Sequence, residues 1–206
     1  MSIVKLNNRG VKDATAFGSI TGLGSMIFIK KLTASSSATL SFVDGSSDVV
    51  LDNTYKEYLF TFNNIHPATD QTLFQVNMSI DGGSNYNVTK TTTFFRAYHE
   101  ETGSASGLGY RTSDDLAQST AFQPLCLGIG NGNDESASGY LHLFNPSSTT
   151  FVKHFIAQVS ENYHGDYNLN DFSAGYCNTQ SAVDAVQFKM SSGNIDAGDI
   201  CLYGIN

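Results

Sequence analysis

Five histidines, three cysteines and a few clustered carboxylates are the side chains of this chain with the chemistry to bind a metal or move a proton. His142 and His154 flank the turn Asn145-Pro146-Ser147-Ser148, and a hairpin through that turn would bring them near each other across a ladder. Two strand histidines make a metal centre only with a third ligand, and no HxH or HxxxH spacing supplies one. The expectation is structural histidines, no metal and no other cofactor. Acidic residues pair up in loops as Glu100-Glu101, Asp114-Asp115 and Asp134-Glu135. A glycosidase needs two carboxylates held at a set separation across the scissile bond, whereas adjacent acids among serines and glycines read as solvated surface. Cys126, Cys177 and Cys201 lie in no CxxC spacing. Each has apolar or small neighbours, the context of a buried free thiol; one disulfide with a thiol left over is also compatible with the count. No GxSxG elbow, phosphate-cradling loop or HExxH helix is present, so no enzyme is expected.

One cluster points to a ligand. Tyr163, His164, Asp166 and Tyr167 fall within five residues, and Tyr176 follows. Exposed tyrosine presents a flat apolar face and a polar tip, which suits stacking on a sugar ring while bonding its hydroxyls. These four residues are the expected glycan contacts; a loop packed on its own sheet is the alternative.

The elements that must position them are strands. Thr39–Val43 alternates, and with Asp48–Leu51 it reads as a hairpin around Asp44-Gly45-Ser46-Ser47. Tyr55–Asn63, Leu73–Ile80, Tyr86–Tyr98, Phe122–Ile129, Tyr140–Phe144, Thr149–Val159 and Phe172–Cys177 are further strands, the fourth broken by Pro124. Ser160–Asn170 reads as a Tyr/Asn loop. Phe188–Asn206 reads as two apolar strands joined by a Ser-Gly-Asn/Asp-Ala-Gly turn. Ser113–Thr120 is the one short helix candidate, with Ser113 as its cap and Asp114 and Asp115 in its first turn. Turn signals every 8–12 residues mark an all-β antiparallel sandwich, jelly-roll-like. Residues 26–206 form that domain. Residues 1–25 read as an extended N-terminal arm, whose Phe17, Ile20 and Leu23 need a surface to bury against.

Composition narrows the partners. The chain of 206 residues has net charge −8 and only 15% charged residues, with Ser, Thr, Asn and Gly dominant. No basic stripe exists to neutralise phosphates, which argues against nucleic acid. Lys30-Lys31 is the only basic pair and reads as a solvated strand edge. No apolar run is long enough to span a membrane as a helix, and Met1–Gly10 has no apolar core of a secretion signal.

Whole phrases of the chain resemble a group of tailed-phage virion proteins, marine phages especially. They are LNNRGVKDATAFGSI, IKKLTASSSATLSFVDGSSDVVLDNTYKEYLF, NNIHPATD, NYNVTKTTTFFRAYH, LFNPSSTTFVKHFI, and the terminal MSSGNIDAG and LYGI. The resemblance covers most of the chain. It implies a non-catalytic, assembled β-domain made in the host bacterial cytoplasm, in keeping with reduced thiols. It implies a capsid decoration protein that forms homo-oligomers, trimers by the habit of the group, and meets the major capsid protein or tail proteins. Asn8, Arg9, Phe17, Ile20 and Leu23 are then the expected docking residues. A tail-fibre or receptor-binding domain reading host glycan is the alternative.

Overall fold

Alternation builds almost every element. Along β3 (Glu57–Pro67), Tyr58, Phe60 and Phe62 turn inward while Leu59 and Thr61 turn outward, so one face buries and the other meets solvent. The same parity runs through β4 (Thr72–Ser79), β8 (Ala137–Phe144) and β9 (Lys153–Tyr163). The remaining strands are β1 (Met26–Thr33), β2 (Leu40–Val43), β5 (Lys90–Glu100), β6 (Ser106–Tyr110), β7 (Gln123–Ile129), β10 (Tyr167–Cys177), β11 (Ala185–Met190) and β12 (Ile195–Ile205). The structure is a computed structural model that describes residues 26–206. The expected arm, with Asn8, Arg9, Phe17, Ile20 and Leu23, lies outside the described residues.

All pairings are antiparallel. One layer has the order β1-β12-β3-β8-β9-β10-β5-β6 and the other β2-β11-β4-β7, and Ile129↔Tyr163 is the single pair that joins them. The nested pairs β5–β6, β4–β7, β3–β8 and β2–β11 describe one long antiparallel ribbon wrapped on itself. That is jelly-roll topology, with the meander β8-β9-β10 standing where a single strand would suffice and β12 and β1 added at one edge. Phe188 is the hub of the core. Its ring meets Phe60 and Phe62 across the layers and Phe42 and Phe74 beside it, at centroid separations of 5.3–6.3 Å.

Several expectations change. Among the described residues there is no helix. Ser113–Thr120 is instead drawn onto β5: Thr92 N donates to Leu116 O, Leu116 N to Thr92 Oγ1, and Ser119 exchanges both backbone bonds with Lys90. The hairpin of Thr39–Leu51 does not form. β2 pairs with β11, while Val49 and Leu51 enter the core from an irregular segment pinned by Leu51 N donating to Asp44. The two C-terminal strands are not partners either: β11 lies in the small layer and β12 in the large one. Ser160–Asn170 is no loop. β9 and β10 run on to Tyr163 and Tyr167 and leave a tight turn at His164-Gly165-Asp166. Pro124 is absorbed at a register shift against β4, where no ladder donor is required of it. All three cysteines are buried and free, so no disulfide forms.

Candidate functional site

The tight β9–β10 turn fixes where the expected glycan residues go. Tyr163 and Tyr167 face each other across the hairpin mouth, ring centroids 6.0 Å apart, and Tyr163 lies 4.0 Å from His164. Gly128 on β7, at φ +96°, permits this: a Cβ there would run into the Tyr163 ring. His164 N donates to Gly128 O, which ties the turn to β7.

The inner face of β5 opens at the same end. Lys90, Thr92 and Phe94 are buried, then Arg96 is half-buried and Tyr98 emerges into solvent. Tyr98 meets Tyr167 at 6.1 Å. Arg111 follows β6, anchored by its N donating to Phe94 O. Two adjoining hollows of about 230 and 420 Å³ result. Arg96, Arg111 and Tyr163 line both; Asp114, Gly128 and His164 complete one, Tyr98, Tyr167 and Leu169 the other. The structure thus brings Tyr163, His164 and Tyr167 together in this cleft. Asp166 is exposed in a small acidic hollow with Glu101, Asp134 and Glu135, which adjoins the cleft through Tyr163 and Tyr167.

Sequence reasoning missed the arginines. The chain has three, Arg9, Arg96 and Arg111, and two converge here. Each spends one nitrogen on an acid: Arg96 Nε on Asp171 at 3.2 Å, Arg111 Nε on Asp114 at 3.1 Å. Arg96 Nη2 and His164 Nδ1 are buried without a hydrogen-bond partner.

Beneath the cleft lie two carboxylates, Glu161 and Asp171, which are almost fully buried. Leu127 N donates to Glu161 Oε1 at 3.0 Å, but Glu161 Oε2 and Asp171 Oδ2 have no partner. Burial, and then the neighbouring Asp171, pushes the Glu161 carboxyl up to about 8. Burial also raises Asp171 to about 6, against the pull of Arg96. Burial thus favours the protonated form of Glu161, while Arg96 favours the ionised form of Asp171. Inward parity was the available signal: Glu161 continues the series Phe155, Ala157, Val159, and Arg96 continues Phe94.

The opposite face of the large layer has a different character. Cross-strand register aligns Tyr110, Phe95, Phe172, Gln158 and Tyr140 in one row, and Ala174, Ile156, His142, Leu59, Tyr203 and Phe28 in the next. Phe95 and Phe172 stack at 4.8 Å, and Phe95, Ile156 and Phe28 are 40%, 50% and 56% exposed. An apolar hollow of about 450 Å³ lies around Ala174, Ile156 and Tyr176. His142 and His154 point outward here, but in the register His142 faces Ile156. Among the described residues no three His, Cys, Asp or Glu side chains gather as a metal site. Lys30 and Lys31 lie on the edge strand β1, and Lys31 pairs with Asp199 at 3.1 Å.

No family model, curated protein or solved structure matches the chain.

Proposed function

We propose that this chain is a non-enzymatic structural protein of a tailed-phage particle, a capsid decoration protein that assembles with copies of itself. The observation that carries the proposal is the outer face of the large layer. Among the described residues its two central rows hold mainly aromatic and aliphatic side chains, with Gln158 and His142 between them, and Glu57, 3.9 Å from His142, is the carboxylate at their border, in a chain of net charge −8. Copies of an acidic protein repel, so they meet best where acids are sparse. The eleven aligned positions, at about 4.8 Å between strands and about 6.8 Å along each, offer roughly 360 Å², the centre of an interface that extends past them to reach the roughly 800 Å² per partner of a stable one. The phrases shared with phage virion proteins supply the setting and the trimeric state, and buried reduced thiols fit assembly in a bacterial cytoplasm. Buried Glu161 and Asp171 reach no solvent, which favours a structural over a catalytic role for them.

Residues 1–25 carry the docking to the shell in this proposal. Gold-labelled antibody is expected to decorate the heads of intact particles, and deletion of residues 2–24 to abolish incorporation. Label absent from particles would reject the proposal. The cleft favours a second reading, recognition of a host saccharide by a tail-fibre or receptor-binding domain. Its aromatic walls and planar donors suit a sugar ring.

A further inference from the structure

We infer that the cleft between the β9–β10 turn and the segment after β6 binds a saccharide carrying a negative charge, a uronate above all. The inference rests on the reading of the cleft as a saccharide site and adds the class of sugar. Tyr98, Tyr163 and Tyr167 furnish ring faces and hydroxyls around the larger hollow. Any tyrosine-lined cleft can hold a neutral sugar; the arginines set this one apart. Arg96 on β5 and Arg111, just past the end of β6, line the same space.

Their ion pairs do not use up their capacity. Asp171 and Asp114 each engage an Nε, which orients the guanidinium and leaves its terminal nitrogens free. Arg96 Nη2 is buried without a partner, so the fork open to a ligand is that of Arg111, whose side chain is 43% exposed. The Arg111 guanidinium, held this way, presents the fork that a carboxylate meets with two parallel hydrogen bonds, and Arg96 adds its charge beside it. Asp114 is the one acid lining the cleft, and its charge is met by Arg111 and by Ser113 Oγ donating at 2.9 Å. A polyanion such as nucleic acid is disfavoured by the net charge of −8, whereas one anionic sugar needs only this local pair.

The test is calorimetric titration of the full chain with tetramers of galacturonate, glucuronate and mannuronate. Each is matched with its neutral methyl ester, and a sulfated tetrasaccharide is run beside them. The acids are expected to bind, and their esters to bind at least about tenfold more weakly. Arg111→Gln, at a largely exposed side chain, is expected to show the same loss while melting like the parent. Arg111→Lys, which keeps the charge without the fork, is expected to recover only part of it for uronates. Sulfated sugar binding as well as uronate would widen the class to anionic sugars in general. Acid and ester binding alike, unaffected by Arg111→Gln, would overturn the inference and leave the saccharide reading intact. If no saccharide in the panel bound, both would fall.

Discussion

Glu161 is the residue at which burial and charge conflict most openly. Its carboxyl titrates at about 8 in the fold and near its ordinary 4.5 when unfolded. Between those values the folded chain holds the extra proton, so stability falls as pH rises through this window and levels off above it. Glu161→Gln keeps an acceptor for Leu127 N and removes the titration. Thermal melts between about pH 5 and about pH 9 should decline in the parent and stay flatter in the variant; equal slopes would show that Glu161 does not titrate as inferred. Lys90 has the opposite sign. Burial lowers its amine to about 8 from 10.5, while its Nζ donates to Asn77 Oδ1 at 2.6 Å and Val88 O at 2.7 Å. The unfolded chain holds that proton longer, so stability recovers as pH rises above about 8. Lys90→Met should lose that recovery, seen as a melting temperature that rises less than the parent's, or falls more, above about pH 8.

Strand packing sets the larger energies. Phe188 touches four phenylalanines from both layers, and its truncation to alanine is expected to cost about 3–5 kcal/mol in denaturant unfolding. A loss under about 1 kcal/mol would mean that the layers do not meet there. Gly139 makes a sharper test of register. A Cβ at this position would overlap the Gln158 carbonyl oxygen and lie 2.7 Å from Val159 Cα on β9. Gly139→Ala must therefore push β8 off β9, at about 1–3 kcal/mol. Alternation made these strands legible in the sequence, because one face of each had to be apolar. Their partners were not legible. β2 chose β11 over Asp48–Leu51, and β11 and β12 parted into different layers, because pairing depends on contacts distant in sequence. Ser113–Thr120 carried a valid helix cap, but bonds to Thr92 and Lys90 replaced those of a helix. In the cleft the tyrosines were legible as a cluster, while Arg96 and Arg111 were hidden because their proximity arises only from the β5–β6 ladder.

At the scale of the molecule, the large layer divides the labour. Its inner face closes the core and opens at one end into a cleft of two arginines and three tyrosines, and its outer face is mainly apolar along its centre, with Glu57 at the border beside His142. In the proposed function that outer face joins one copy of the chain to the next. Ile156, half-exposed beside the apolar hollow on the outward side of β9, is where a charge would harm assembly and spare the fold. Sedimentation velocity of the full chain and of Ile156→Glu is the most direct measurement. The parent should sediment as a closed oligomer, a trimer, and the variant as a folded monomer with an unchanged melting profile. A parent that remains monomeric at high concentration, or an oligomer indifferent to the substitution, would contradict the claim that this face joins one copy to the next.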